Sequence, residues 1–253
     1  MADFLYGINP VAEALVGRGR QPLELFALTG ERNGRLEELI LQAHNQGVKT
    51  TFLERREIDR LAGHSHHQGV LLKLTSYRYA DFSALLQIWH ASGNPAFFLL
   101  LDGVTDPHNF GAILRSAEVA GCHGVVVTKD RACPVTSVVE KSAAGALSHL
   151  PLCQVTNLSR VIDELKKNGV WCYGLAGDDG SNDLFTSDLC GNLALIVGSE
   201  GKGLRPNIRK HCDGLLAIPM VGQVNSLNAS VAAGIALFEV VRQNRLGECA
   251  PTG

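Results

Sequence analysis

The chain has 253 residues, 45% of them hydrophobic and 19% charged, so it can bury the core of one large domain or two small ones. Its formal net charge of −2 excludes a chain that is basic throughout and confines any nucleic-acid contact to a local cluster. No apolar run approaches the roughly 18 residues of a membrane span, and the N-terminus lacks signal-peptide features, which predicts a cytoplasmic protein.

The first 76 residues predict a small α/β module, a size at which a domain can fold alone. Apolar periodicity predicts strands at 23–28, 49–53 and 68–74, and helices at 11–15, 35–46 and 57–62. Seven arginines of this module are the best local candidates for an RNA contact, although solvated surface is the commoner role of any single arginine. They are Arg18, Arg20, Arg32, Arg35, Arg55, Arg56 and Arg60.

Residues 77–95 predict a linker that contains a connecting helix at 82–90. From residue 96 onward, apolar strands alternate with helices, which predicts a parallel sheet covered on both faces. Strands are expected at 97–101, 124–128, 152–155, 170–176, 193–197 and 214–218, and helices at 108–120, 137–149, 158–168 and 227–245. Open sheets of this kind bind ligands at the carboxyl ends of their strands.

Cysteine and histidine patterns do not predict a metal site. The seven cysteines are scattered and never spaced Cys-x-x-Cys, which favours reduced thiols over a disulfide framework or a zinc site. The tract His64-Ser65-His66-His67 has no acidic or cysteine partner nearby. We therefore expect loop histidines and no metal.

The first of three polar clusters, Asn109-Phe-Gly-Ala-Ile-Leu-Arg115, follows the strand at 97–101. One interpretation places an amide and a guanidinium against a ligand. The other makes Asn109 a helix cap and leaves Arg115 on the exposed surface, and the cluster alone favours neither.

The second cluster, Gly198-Ser-Glu-Gly-Lys-Gly-Leu204, follows the strand at 193–197. Its spacing matches neither a Walker motif nor a dinucleotide fingerprint. Three glycines in six residues predict a tight turn with the backbone close to another group, and Glu200 is a carboxylate in the middle of that turn. An ordinary strand-to-helix turn is the alternative.

The third cluster extends from Ile218 to Ser230 and precedes a helix that is rich in small residues. Ser226 or Asn228 can cap that helix, or its free N–H groups can bind a carboxylate or a phosphate. Small side chains let another backbone approach, so we expect close packing or a dimer interface there.

Taken together, N-x-G-x-x-x-R, G-S-E-G-x-G-L and I-P-M-x-G-x-V-x-S-L-N-x-S-x-A resemble the three motifs of the SpoU/TrmH (SPOUT) family of RNA 2′-O-ribose methyltransferases. Their order makes the resemblance specific. The first module, with Tyr6-Gly7 and His67-Gln68-Gly69-Val70, resembles the RNA-binding extension of the subgroup that methylates a guanosine of 23S rRNA.

The resemblance implies an L30e-like RNA-binding domain at 1–76, a linker at 77–95 and a SPOUT methyltransferase domain at 96–253. The C-terminal part of that last domain is expected to form a deep trefoil knot. General topological rules predict against knots, so only the resemblance supports this one. It also implies a homodimer.

The implied cofactor is S-adenosylmethionine and the implied partner is RNA, with 23S rRNA favoured. The positions that match the family's cofactor contacts are Leu175, Ala176, Gly177, Val197, Gly198, Gly203, Ile218, Met220, Ser226 and Leu227. The positions that match its catalytic group are Arg115, Asn109, Glu200, Ser226 and Asn228.

The role that the resemblance implies for Arg115 has two physical versions. A ribose hydroxyl is a poor nucleophile until it loses its proton, yet a free guanidinium has a pKa above about 12. Arg115 is either a base or a cation that stabilises the alkoxide while a phosphate oxygen takes the proton. An ion pair with Glu200 would favour the second version.

Two other functions remain as alternatives. Methylation of a tRNA guanosine is disfavoured by the N-terminal module, which the minimal tRNA members lack. A non-catalytic RNA-binding or ribosome-assembly protein is disfavoured by the presence of Asn109, Arg115, Glu200 and Asn228.

Overall fold

The computed structural model describes residues 3–16, 20–30, 34–63, 65–177, 180–223 and 226–246. Arg18, Arg32 and His64, which the sequence singled out, lie outside these ranges. The chain divides into two compact units, Met1–Arg78 and Tyr79–Gly253. Within the described ranges, no helix combines the length and apolarity that a membrane crossing requires.

The first unit is built on a mixed sheet of four strands in the order β1-β4-β2-β3. Strands β2 and β3 are parallel, and the other pairs are antiparallel. Strands β1 to β4 are Asp3–Tyr6, Pro22–Leu28, Lys49–Leu53 and Val70–Leu74. Helices α1 to α3 are Ile8–Val16, Gly34–Asn45 and Arg55–Ala62. Strand β1 was not predicted from the sequence, because it has only four residues, and it pairs with β4 alone.

Two polar residues of this unit, His67 and Arg20, are buried. His67 is almost fully buried, accepts a hydrogen bond from the Gly69 amide at 3.0 Å, and contacts Asp59 through Nε2 at 3.0 Å. It therefore closes the connection between α3 and β4. Because Arg20 is buried, its side chain is not available at the protein surface to contact RNA. Among the described residues, no group of three metal-binding side chains is present.

The second unit contains a sheet of seven strands in the order β7-β6-β5-β10-β8-β11-β9. Every pair is parallel, as the alternation of strands and helices predicted. In chain order, strands β5 to β11 are Phe97–Asp102, Gly124–Thr128, Leu152–Val155, Trp171–Leu175, Asn182–Asp183, Leu193–Gly198 and Gly214–Ala217. Helices α4 to α9 are Phe82–Ser92, Pro107–Val119, Ser137–Ala143, Leu158–Lys167, Pro206–His211 and Ala229–Leu246.

Three helical segments differ from the sequence-based expectation. The helix predicted at 137–149 ends at Ala143, because Ala144 and Gly145 adopt left-handed φ angles of 48° and 89°. Helix α8 was not predicted, since six residues are too few to show a helical period. Helix α4, expected at 82–90, extends to Ser92, and its Leu85 and Trp89 are buried in a core cluster with β5 residues.

The cysteines only partly follow the prediction of reduced thiols. Five described cysteines are free: Cys122, Cys133, Cys153, Cys172 and Cys212. Burial raises the pKa of Cys153 and Cys212 to about 11 and that of Cys172 to about 12, so these thiols stay protonated at neutral pH. Cys190 is disulfide-bonded, so the expectation of reduced thiols is wrong for this residue.

The parallel arrangement decides where the three polar clusters lie. Strands β5, β10, β8 and β11 are neighbours in the sheet, so their carboxyl ends line one edge. The polar clusters follow β5, β10 and β11 directly along the chain. The sheet therefore brings the clusters to one edge, the place where such folds hold ligands.

Gly111, the glycine of the first cluster, is required by helix packing. Helix α5 crosses α6 so closely that a Cβ on Gly111 would lie 2.4 Å from the Ser142 Cβ and 2.7 Å from the Val139 carbonyl oxygen. No side chain fits in that space unless one helix moves. The glycine thus lets α5 lie close against its neighbour and holds the polar cluster on α5 in place.

We expect Gly111→Ala to lower the free energy of unfolding by about 1 to 3 kcal/mol, because the added methyl overpacks the contact between α5 and α6. Urea unfolding followed by circular dichroism measures the change. Gly34→Ala is the matched control, since a Cβ there meets nothing within 4 Å. Equal stability of the two variants would contradict this packing role.

Candidate active site

The N-terminus of α5 is capped by Asp106, and not by Asn109 as one interpretation of the sequence had it. The Asp106 carboxylate accepts a hydrogen bond from the Asn109 backbone N–H at 2.8 Å, and Pro107 occupies the first turn. Because the cap is supplied by Asp106, the side-chain amide of Asn109 is available for other contacts.

Asn228 caps the other helix of the site, α9. Its Oδ1 accepts hydrogen bonds from the backbone N–H of Ser230 at 2.9 Å and of Val231 at 3.3 Å. The sequence left open whether Ser226 or Asn228 is the cap, and the structure assigns this role to Asn228. Since Oδ1 is committed to the cap, the NH₂ group of Asn228 must point away from the helix.

A relay of hydrogen bonds connects the three polar clusters. The Asn228 Nδ2 donates to Asn109 Oδ1 at 2.9 Å, and the Asn109 Nδ2 donates to Glu200 Oε1 at 3.0 Å. The helix cap fixes the direction of the relay, because each amide that accepts on its oxygen must donate from its nitrogen. The relay therefore ends with a donor facing the Glu200 carboxylate and holds that carboxylate in one orientation.

Glu200 lies in the tight turn that its glycines predicted. Ser199 and Gly203 exchange backbone hydrogen bonds of 3.1 and 2.9 Å. Gly201 and Gly203 adopt left-handed φ angles of 76° and 62°. A Cβ on Gly198 would lie 2.2 Å from the Gly203 carbonyl carbon. The group that the backbone approaches is thus the far side of the same turn.

An ion pair that was not predicted from the sequence, between the buried Asp102 carboxylate and the half-exposed Arg205 side chain, joins this turn to β5. The Asp102 side chain is fully buried and lies at the end of β5. It accepts hydrogen bonds from the backbone N–H of Arg205 at 2.9 Å and from Arg205 Nε at 2.6 Å. The one signal in the sequence was an aspartate at the end of an otherwise apolar strand.

Arg115 does not join the relay. It lies on the exposed side of α5, and its side chain makes no hydrogen bond or ion pair with another residue in the described part of the chain. At about 100° per residue, six positions separate Arg115 from Asn109 by roughly a third of a helical turn. The ion pair between Arg115 and Glu200 that the sequence suggested is therefore not formed within this chain.

The residues that match the family's cofactor positions follow three neighbouring strands. Leu175 ends β8, Val197 and Gly198 end β10, and Ile218 follows β11. The remaining members lie after these strand ends or in the turn that contains Glu200. They are Ala176, Gly177, Gly203, Met220, Ser226 and Leu227.

The members of this set differ in burial. Val197 and Gly198 are buried, whereas Met220 and Leu227 expose 41% and 38% of their surface. Small-molecule sites combine apolar side chains with a few polar groups that fix the ligand's orientation, and this set contains both kinds.

Comparison with known proteins identifies two family models that together match most of the chain. The family model "SpoU rRNA Methylase family" matches residues 96–238, and the model "RNA 2'-O ribose methyltransferase substrate binding" matches residues 4–80. The 23S rRNA (guanosine-2'-O-)-methyltransferases RlmB of Haemophilus influenzae and Escherichia coli K12 are each 42% identical to this chain. The alignments cover 98% and 96% of this chain, and 100% and 99% of those proteins.

Solved structures show the same fold. The SpoU methyltransferase AviRb from Streptomyces viridochromogenes, in complex with AdoMet, superposes with a TM-score of 0.72 at 26% identity, over 96% of this chain and 90% of that one. An AdoMet-bound rRNA methyltransferase from Sinorhizobium meliloti has a TM-score of 0.72 at 24% identity, over 96% and 87%.

Asn109→Asp tests the relay. The introduced carboxyl would replace the donor that lies 3.0 Å from Glu200, and repulsion would lower the free energy of unfolding at pH 7 by about 1 kcal/mol at this solvent-accessible position. Like charge raises the pKa values of the pair above their unfolded values, so the folded state takes up a proton first. The deficit should therefore shrink as the pH falls towards about 5.

Urea unfolding of the wild type and the variant at both pH values measures this effect. Asn109→Ala is the control, because it removes the donor to Glu200, together with the acceptor for Asn228, without adding a charge. The relay would be contradicted if both variants lost the same stability at both pH values.

Proposed function

The chain belongs to the SpoU rRNA methylase family, and we propose that it transfers a methyl group from S-adenosylmethionine to the ribose 2′-oxygen of a guanosine in 23S rRNA. The observation that carries the proposal is the hydrogen-bonded relay Asn228–Asn109–Glu200 at the carboxyl edge of the sheet. It occurs in a chain that aligns along nearly its whole length with enzymes named for that reaction.

S-adenosylmethionine fits the edge formed by β10, β8 and β11. The adenosyl group would be held by backbone groups at 175–177, 197–198 and 218, with Met220 and Leu227 against the ring and Ser226 and Gly203 at the margin. When bound there, the cofactor supplies an electrophilic methyl group on a sulfonium centre.

The reaction needs a ribose oxygen that has lost its proton. The 2′-oxygen forms a bond to the methyl carbon as the bond from that carbon to sulfur breaks, and the hydroxyl proton must leave. A guanidinium stays protonated in proteins, and Arg115 is exposed. We therefore assign Arg115 the stabilisation of the developing alkoxide, while an RNA phosphate oxygen accepts the proton. Asn109, Asn228 and Glu200 orient the ribose.

We further propose that the protein acts as a homodimer through α5 and α9. Val231 and Phe238 lie on the same face of α9 and expose 48% and 46% of their surface. Val119 of α5 exposes 63%. A Cβ on Gly234, on the same face of α9, would lie 3.8 Å from Ser116 Oγ of α5. Arg115 is one turn from Val119, so a dimer over this surface would surround Arg115 and remove it from bulk water.

A trefoil knot and an L30e-like first domain complete the proposal. The strand order supports the knot, because β10 lies between β5 and β8 and the chain then passes to β11 on the far side of β8. The first unit would bind the RNA, and its exposed arginines, Arg35, Arg55, Arg56 and Arg60, remain candidates for that contact. An enzyme of 23S rRNA would act in the cytoplasm.

Arg115→Ala should abolish methyl transfer to 23S rRNA while S-adenosylmethionine still binds, since Arg115 lies outside the proposed cofactor contacts. Arg115→Lys should keep part of the activity, because a cation that stabilises an alkoxide does not have to be a base. Transfer of a radiolabelled methyl group and titration calorimetry are the two measurements. Normal turnover of Arg115→Ala would refute the catalytic assignment.

Mapping of 2′-O-methylated nucleotides in total RNA tests the substrate. A strain that lacks this protein should lose one methylated guanosine of 23S rRNA and regain it on complementation with the wild type. Loss of a tRNA guanosine instead would support the alternative substrate. If no methylation changed and S-adenosylmethionine failed to bind, a non-catalytic RNA-binding protein would be the better account.

A further inference from the structure

The connection that follows β6 contains an arginine in an unfavourable backbone conformation. Arg131 adopts a φ of 58°, in the left-handed region that residues with a Cβ avoid. Two other described non-glycine residues share this property, and both have a local reason. Ala144 terminates α6, and the Gln68 side chain accepts a hydrogen bond from the Ile8 N–H at 2.9 Å.

Arg131 has no comparable local reason. Its side chain is exposed and makes no hydrogen bond or ion pair with any other residue that the structure describes. The side chain therefore contributes no visible contact that would offset the backbone cost. Strained positions of this kind occur preferentially where a side chain has to be presented to a ligand.

The chain on both sides of Arg131 is held by hydrogen bonds. The Lys129 N–H donates to the Val155 carbonyl at 2.8 Å, and the Thr128 hydroxyl donates to the Asp130 carbonyl at 2.9 Å. On the other side, the Cys133 N–H donates to the Val104 carbonyl at 2.9 Å. The connection is therefore a rigid support for an exposed guanidinium.

This support lies beside the proposed active site. The Arg131 carbonyl oxygen is 3.5 Å from the position of a Cβ on Gly103, and that same position is 3.6 Å from the Ser199 Cβ. Gly103 follows β5 and Ser199 precedes Glu200, so three strand-end connections meet there. Consistently, burial raises the pKa of Cys133, and the nearby carboxylates of Asp106 and Glu200 raise it further.

We propose that Arg131 binds a backbone phosphate of the RNA strand whose ribose enters the active site. The inference rests on the proposed function and adds to it a contact from the methyltransferase domain itself. A guanidinium is suited to this role because its N–H groups can donate two parallel hydrogen bonds to one phosphate. The exposed ammonium groups of Lys129 and Lys202 lie on the connections next to Glu200 and Arg131 and add positive charge there.

Arg131→Gly separates this role from a structural one. Glycine adopts a φ of 58° without strain, so the variant should be at least as resistant to urea as the wild type. Its KM for 23S rRNA should rise about tenfold, as expected for loss of a charge-assisted hydrogen bond. The turnover number and the affinity for S-adenosylmethionine should not change.

Salt dependence gives a second readout. Equilibrium binding of 23S rRNA between 50 and 200 mM KCl, concentrations over which phosphate contacts change affinity strongly, should show a slope smaller by about 0.7 to 1 for Arg131→Gly than for the wild type. Arg131→Lys should recover part of both the slope and the KM, because it keeps the charge but loses the paired hydrogen bonds.

Two control variants match the two changes in Arg131→Gly. Ala144→Gly relieves a left-handed φ of 48° without removing a charge. Lys167→Gln removes an exposed charge at the end of α7, at the opposite edge of the sheet. Neither should alter the KM or the salt slope.

The proposal is overturned if Arg131→Gly keeps the wild-type KM and salt slope, or if it loses stability or affinity for S-adenosylmethionine. Each of these results concerns only the Arg131 variant. The proposed function stands in each case, because the wild type would still methylate 23S rRNA in the same assay. Failure of the wild type itself to methylate 23S rRNA would instead reject the proposed function.

Discussion

The ion pair between Asp102 and Arg205 is the interaction on which the geometry of the site depends. A buried carboxylate that loses its partner costs about 3 to 5 kcal/mol, so the Asp102 side chain strongly favours structures in which Arg205 lies against it. Arg205 contacts it through the backbone N–H, Nε and Nη2, the last at 2.5 Å from Oδ1. The end of β5 and the turn after β10 are therefore held together.

That constraint brings Glu200 to the start of α5, where Asn109 meets it. The relay then extends to Asn228, whose oxygen is committed to the cap of α9. Asn109 is 91 residues from Glu200 and 119 residues from Asn228 in sequence, and one set of hydrogen bonds joins all three. Because each amide has one donor end and one acceptor end, the whole relay has a single orientation and holds Glu200 in place.

The glycines of the motifs have a structural role that is separate from the chemistry. Gly111 allows α5 to pack against α6, and Gly198 allows the turn to fold back on its own strand. Gly174, outside the motifs, makes room in the same way for the buried Leu204 side chain, which lies 2.5 Å from where a Cβ would be. The backbone segments beside the polar motif residues therefore approach one another more closely than side chains would permit. This close approach fixes the positions of those polar residues.

The parallel sheet and the positions of the three clusters at strand ends were predictable from the sequence, because alternation and turn residues are properties of neighbouring positions. Its motifs also identified the family. The structure was needed to show that Arg205 pairs with Asp102, that Arg115 stays apart from Glu200, and that Arg20 is buried. The contact between Arg205 and Asp102 depends on strand order, which places β10 beside β5. Residues about a hundred positions apart become neighbours only through that order, and no local pattern records it.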